Sequence, residues 1–280
     1  MSGQSDPLPV AVFFQVNALT LVSRHDIRRG SLALWLIGSF AISQAAWADN
    51  GWLETWAYRT ADTPNSFSNM VQLRYYQPFA LPTADAGWQG MMRLDTSIVS
   101  NSGPAFPGEA GNQFNPGNTR LTLWANTPQS AQQIRGAAGF RVSAPTGDNN
   151  PNYSAAQWIA GPQAGMSWAP KDAGLLTDFS PLARYMMGFS ATNPQVTALK
   201  RSLELYPTIG LRLSERVTVR LWDENAIVLN SATGVWFIPV DAYATYVFTP
   251  HWSASLGGAK RLTNTSQYDW VGYGRVTYRF

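Results

Sequence analysis

Counted back from the C-terminus, Phe280, Tyr278, Val276, Gly274, Gly272 and Trp270 fall on one side of the chain. Arg279, Thr277, Arg275, Tyr273 and Val271 fall on the other. Alternation with period two over this length describes a strand with one face in an apolar medium and one in a polar medium. The same period recurs upstream. Leu203, Leu205, Pro207, Ile209, Leu211 and Leu213 oppose Ser202, Glu204, Tyr206, Thr208, Gly210 and Arg212. Trp236, Ile238, Val240, Ala242, Ala244, Tyr246 and Phe248 oppose Asp241, Tyr243 and Thr245, and Val71, Leu73, Tyr75 and Phe79 oppose Gln72, Arg74 and Tyr76.

Clusters of Gly, Pro, Asn, Asp and Ser separate such stretches and mark turns. They divide the chain into candidate strands near 51–59, 68–80, 88–99, 117–127, 135–145, 157–169, 175–190, 200–213, 216–230, 233–248, 251–264 and 268–280. The first, sixth and seventh alternate weakly, so about ten strands is the alternative to about twelve. Past residue 48 no apolar run has the roughly 20 residues of a spanning helix. A membrane location therefore requires a closed barrel, because hydrocarbon cannot satisfy an open sheet edge. The pattern predicts an all-β fold: a single closed antiparallel transmembrane β-barrel over residues 49–280.

Loop lengths agree. With the C-terminus assigned to the periplasmic side, residues 80–87, 127–134, 169–174, 213–216 and 249–251 become turns at that end. Residues 100–116 and 145–156, rich in Gly, Asn and Pro, become loops at the other. Short turns at one end and long loops at the other are the outer-membrane pattern. Aromatics near strand ends (Trp158, Trp168, Trp236, Trp252, Trp270, Tyr246, Phe248) suit two interfacial girdles.

Composition sharpens the picture. Only 13% of residues are charged, against roughly 25% in an ordinary soluble domain. The 12 Trp, 11 Tyr and 13 Phe accompany a mean hydropathy near neutral, as expected when apolar and polar faces alternate. There is no Cys, hence no disulfide framework and no thiolate chemistry. The net charge of +3 is no nucleic-acid footprint.

The N-terminus reads as an export signal. Arg24, Arg28 and Arg29 form a positive segment, residues 32–42 an apolar core, and Ala46-Trp47-Ala48 a small-residue cleavage site. Residues 1–48 are thus expected to be a signal peptide with an over-long start, cleaved near Ala48.

The terminal strand resembles the closing strand of Gram-negative outer-membrane β-barrels. That resemblance implies that Phe280, with Tyr278 and Val276, forms the signal read by the barrel-assembly machinery. It also implies outer-membrane lipid and lipopolysaccharide as surroundings. Gln72-Leu-Arg74, Gln77-Pro78-Phe79 and Met92-Arg-Leu-Asp95 are similar to the early strands of outer-membrane transporters found beside aromatic-degradation genes, which carry no catalytic motif. The length is also similar to that of the oligogalacturonate porins, whose twelve-stranded pore is lined by basic residues.

The inward faces carry Arg74, Arg93, Asp95, Arg120, Arg141, Arg184, Glu204, Arg212, Arg220, Glu224, Asp241 and Arg275. On the lipid face at mid-height an arginine would cost about 2–4 kcal/mol, so a barrel must turn these residues inward. Two readings stay open. In one, the arginines line a water-filled pore that admits small polar or anionic solutes, since guanidinium groups bind carboxylate and phosphate. In the other, Arg–acid pairs cross-link the lumen and close it. Eight strands are filled by side chains and sixteen leave a channel, and twelve lies between. A Ser–His hydrolase, known on some barrels, needs a histidine base. Past residue 48 only His251 is present, in a predicted turn far from Asn101-Ser102-Gly103. Asp223-Glu224 reads as a strand end or bulge. No catalytic, cofactor or metal motif emerges.

Overall fold

A computed structural model describes residues 50–63, 65–81, 87–106, 113–147, 153–171, 174–263 and 268–280. The expected signal peptide and its cleavage site lie outside the described residues.

Among the described residues the chain forms fifteen strands and no helix. They are β1 (Trp52–Thr63), β2 (Ser66–Ala80), β3 (Gln89–Ser102), the two-residue β4 (Asn115–Pro116), β5 (Thr119–Asn126), β6 (Ile134–Ala144), β7 (Gln157–Trp168) and β8 (Leu176–Ala191). There follow β9 (Arg201–Arg212), β10 (Val217–Leu221), β11 (Ile227–Asn230), β12 (Val235–Phe237), β13 (Pro239–Val247), β14 (Trp252–Arg261) and β15 (Trp270–Arg279). Every pairing is antiparallel. β1 joins β15 from Trp52↔Arg279 to Ala61↔Trp270, and β9 joins β10, so the sheet closes on itself. The ring contains β1–β3, β5–β10 and β13–β15, twelve strands. Closure leaves the twelve-strand ring without an unpaired edge, which a hydrocarbon medium demands, while β12 outside the ring pairs with β11. Ten of the twelve ring strands reach the roughly 9–11 residues that a tilted strand needs to cross a bilayer.

Alternation sets the two faces. On β15, Val271, Tyr273 and Thr277 are buried while Val276 is exposed. On β9, Ser202, Glu204, Thr208 and Gly210 are buried. The outer surface carries Leu121, Leu123, Phe140, Met166, Val240 and Leu256 between the ends. Trp168, Phe179, Phe248, Trp252 and Phe280 are exposed toward one end, and Trp158, Phe189, Trp236 and Trp270 toward the other. A continuous apolar belt of this height is untenable in water and is the outer face of a membrane barrel.

The wall departs from twelve unbroken strands at one place. On β9, Ile209 pairs with Leu221 and Leu205 pairs with Ile227. The stretch from Leu221 to Ile227 is thus two residues longer than its counterpart on β9. The excess leaves the wall as residues 222–226, splitting the expected strand 216–230 into β10 and β11, and the expected strand 233–248 is split at Ile238 into β12 and β13. This is a bulge of the kind that re-aims side chains. Trp222 takes a left-handed φ of 48° at its start.

Asp241 on β13 explains the excursion. Its Oδ2 accepts the backbone N–H groups of Glu224 and Asn225, both at 3.1 Å. Its Oδ1 accepts the Asn225 side-chain amide at 2.8 Å and the Tyr273 hydroxyl at 2.7 Å. Backbone donors that would otherwise be buried unpaired are satisfied by one carboxylate. The Trp222 indole adds a bond to the Pro239 carbonyl at 2.8 Å.

Candidate functional site in the barrel interior

The segment 222–226 projects Glu224 across the lumen. Its carboxylate receives Arg74 Nη1 at 2.8 Å and Nη2 at 2.5 Å, and the Tyr58 hydroxyl at 2.8 Å. Arg74 lies on β2, five places around the ring from β10 by way of β13, β14, β15 and β1. In a ring of twelve that is nearly the opposite wall, so the pair is a crossbar. Gln72 Oε1 accepts Arg74 Nε at 2.7 Å. Trp56, 1% exposed, places its ring 4.3 Å from the Arg74 guanidinium carbon and 4.9 Å from that of Arg275. Desolvated cation–π contacts of this kind contribute about 2 kcal/mol or more.

The remaining ion pairs line the wall. Arg93 donates Nε and Nη2 to Asp95 at 2.6 and 2.8 Å, a bidentate pair. Arg275 reaches Glu54 at 3.3 Å and the hydroxyls of Thr245 and Ser255. Arg220 bridges Asp178 at 2.5 Å and Asp223 at 3.2 Å, and Asp223 also accepts the Tyr243 hydroxyl. Glu204 holds both Arg184 at 3.1 Å and Lys200 at 2.9 Å, and Arg184 also meets Gln163 and Tyr206.

Two of the interior arginines have no such partner among the described residues. Arg141, 9% exposed, donates Nε to the Thr122 hydroxyl at 2.8 Å, and among the described residues its terminal amino groups meet no carboxylate. Arg120, partly buried, pairs with no carboxylate among the described residues. Both face a cavity of about 310 Å³ near the end that carries the long connections. Ser143, Asn118, Tyr206 and Lys200 also line it, with Ile159, Met186, Ala226, Val228, Phe237 and Tyr268. Tyr268 precedes β15, and burial pushes its hydroxyl above the ordinary phenol range, so it remains a donor and bonds Asn225 Oδ1 at 3.1 Å.

Eleven of the twelve residues expected inside thus gather in the interior. Arg212 does not: it ends β9 beside the turn at 213–216 and is exposed. Three acids were missed, namely Glu54, Asp178 and the wall contact of Asp223. Asp241, expected to line a pore, instead anchors the bulge. With these acids counted and Arg212 set aside, the surplus of interior cations shrinks markedly. Arg93, Arg184, Arg220 and Arg275 are each held by a carboxylate. His251 sits in the turn after β13, its Nδ1 2.8 Å from the Arg279 carbonyl oxygen. Ser102 ends β3 at the opposite end of the barrel, so no Ser–His pair forms. Among the described residues no group of three metal-ligating side chains occurs. At the C-terminus, Phe280 donates its N–H to the Gly51 carbonyl at 3.1 Å and packs edge-on against Tyr278.

The closed ring, the apolar belt and the charged interior define a class: the β-barrels of the Gram-negative outer-membrane type. Among solved structures, an outer membrane channel from Pseudomonas putida F1 is similar to this chain, with a TM-score of 0.61 and 14% identity over 84% of this chain and 97% of that one. The translocator domain of the autotransporter NalP from Neisseria meningitidis aligns with a TM-score of 0.40 and 11% identity over 91% of this chain and 98% of that one. Outer membrane phospholipase A from Escherichia coli aligns with a TM-score of 0.46 and 11% identity over 83% of this chain and 93% of that one. At these identities the likeness speaks to the fold. No protein-family model and no curated protein matches the chain.

Proposed function

We propose that the chain is an outer-membrane channel for passive uptake of small polar or anionic solutes, exported by its N-terminal signal and inserted by the barrel-assembly machinery among outer-membrane lipid and lipopolysaccharide. The observation that carries this reading is a closed twelve-strand ring whose charged interior encloses a cavity of about 310 Å³. The fold shared with an outer membrane channel agrees with it. Catalysis is the weaker reading, because His251 lies in an exposed turn away from Ser102.

A closed structural barrel is the second reading. The crossbar from Glu224 to Arg74 favours it for the resting protein.

Reversal potentials across planar bilayers holding the refolded protein decide between them. We expect conductance with a preference for anions, stronger at low salt. At roughly 0.15 M the Debye length is about 8 Å, comparable to the radius of a narrow pore. Arg220→Gln with Arg275→Gln frees Asp178, Asp223 and Glu54 from their cations, so anion preference should fall while the barrel stays folded. No conductance in the wild type, rising on these substitutions, would make the barrel a closed one.

Orientation has its own test. An epitope inserted in the turn between Asn230 and Val235, which joins β11 to β12 at the long-loop end, should be labelled on intact cells. Labelling only after permeabilisation would invert the topology.

A further inference from the structure

We propose that the cavity between β5–β9 and the inward segment 222–226 is a binding site for an amphiphilic monoanion: a carboxylate carried on a compact apolar body. The inference deepens the channel reading, on which it rests, by naming the solute class. Its argument begins with charge. Nearly every interior arginine already has a carboxylate, and burial of a cation without one is expensive. Arg120 and Arg141 are the exceptions, and Arg141, only 9% exposed, is bonded among the described residues only through Nε to Thr122. Its amino edge, which can bind a carboxylate through two parallel bonds, is left to the cavity that it lines. Arg120 lines the same cavity from the neighbouring strand, where Arg120 opposes Ser143 across the β5–β6 ladder. Ser143 adds a buried hydroxyl. The Asn118 side-chain oxygen accepts from the Ala155 N–H at 3.2 Å, which leaves its amide as a further donor.

The acids on the same cavity do not neutralise these two arginines. Glu204 is shared between Arg184 and Lys200, and Glu224 is held by Arg74 and Tyr58. The site therefore retains net positive charge at its β5–β6 flank.

The lining changes character around the ring. From β7 onward apolar side chains join it, Ile159 (5% exposed) and Met186 (3%), then Val228 and Phe237 (3%) on β11 and β12, alongside the polar Glu204, Tyr206 and Asn225. These side chains project inward, toward the cavity. An inward apolar patch has no role in conducting hydrated ions. It suits a ligand whose far end is hydrocarbon, because small-molecule sites pair an apolar lining with a few placed polar groups. A fully hydrated dianion would leave that patch against water, and a neutral hydrocarbon would leave Arg141 without an anion. One ligand chemistry satisfies both ends.

The test measures binding rather than conduction. 3-Phenylpropionate is titrated into the refolded protein in lipid nanodiscs by calorimetry, beside acetate (charge without body) and 3-phenylpropanamide (body without charge). We expect 3-phenylpropionate to bind at least about tenfold more tightly than either, a factor equivalent to about 1.4 kcal/mol. Arg141→Gln should lose that advantage. Arg120→Gln, which breaks no ion pair, should lose part of it and removes the concern that a buried substitution has misfolded the barrel. Acetate binding as tightly as 3-phenylpropionate would reduce the site to a plain anion site and overturn the proposal. Equal binding of the amide, or binding unaffected by both substitutions, would overturn it as well. Anion-preferring conductance with no 3-phenylpropionate binding would leave the channel reading standing and this one refuted. Binding without conductance would do the reverse.

Discussion

Asp241→Ala should raise the conductance of the barrel several-fold without unfolding it. The carboxylate accepts two backbone N–H groups, one side-chain amide and one phenol. Hydrogen bonds to a charged acceptor are worth about 1.5–3 kcal/mol each, so its loss far exceeds the roughly 1.4 kcal/mol that shifts an equilibrium tenfold. The ring does not depend on this residue's side chain, because β10 pairs β13 through Val217↔Tyr246 to Leu221↔Ala242 and β9 through Thr218↔Arg212 to Leu221↔Ile209. The segment 222–226 does depend on it. Once released, that segment can leave the lumen, and Glu224 goes with it. Asp241→Asn keeps an acceptor oxygen without the charge and should fall between wild type and alanine. The readout is single-channel conductance, with heat-modifiable gel migration to show that the barrel is intact. Wild-type conductance from a folded Asp241→Ala barrel would mean that the segment does not restrict the lumen.

The bulge is also where sequence reasoning stopped short. The ring itself was legible because lipid on one face and polar groups on the other impose period two, and β9, β13 and β15 obey it almost without exception. Even the loop sorting followed from that pattern. The excursion at 222–226 carries no local mark of that kind. It exists because Asp241, some 16 residues further on, offers acceptors to backbone donors, and a pairing between separate strands leaves no periodic trace. The paired acids at Asp223-Glu224 hinted at an irregularity, but not at its direction. The first stretch alternated weakly for a different reason. Trp56 and Tyr58 face inward yet are as aromatic as the residues facing lipid, so a binary pattern cannot tell the two sides apart. Ile159 blurs β7 in the same way. Glu54 was missed because its partner Arg275 is brought alongside only when β1 closes on β15. The lumen's charge balance is therefore a property of closure, and an inventory of arginines overstated its positive surplus.

The second large effect concerns the crossbar itself. Arg74 and Glu224 have side chains only 6% and 14% exposed. Removing one member leaves a buried charge without its partner, which destabilises by about 3–5 kcal/mol. Arg74→Met and Glu224→Leu should each lower the unfolding midpoint in urea, measured in lipid vesicles by tryptophan fluorescence. The double variant should recover most of the loss, because an apolar pair of similar volume replaces the ion pair. Residues in direct contact are expected to be non-additive in this way. Bilayer recordings supply an independent check, in which selectivity shifts with opposite signs. Either single substitution breaks the bar and should raise conductance. Glu224→Leu leaves Arg74 uncompensated and should strengthen anion preference, whereas Arg74→Met leaves Glu224 uncompensated and should weaken it. Tyr58 and Trp56 stay in place in all three variants, so the difference between them isolates the charge pair. Strictly additive destabilisation in the double variant, together with selectivity that does not move, would mean that the two residues support the wall separately and that no bar spans the lumen in the membrane.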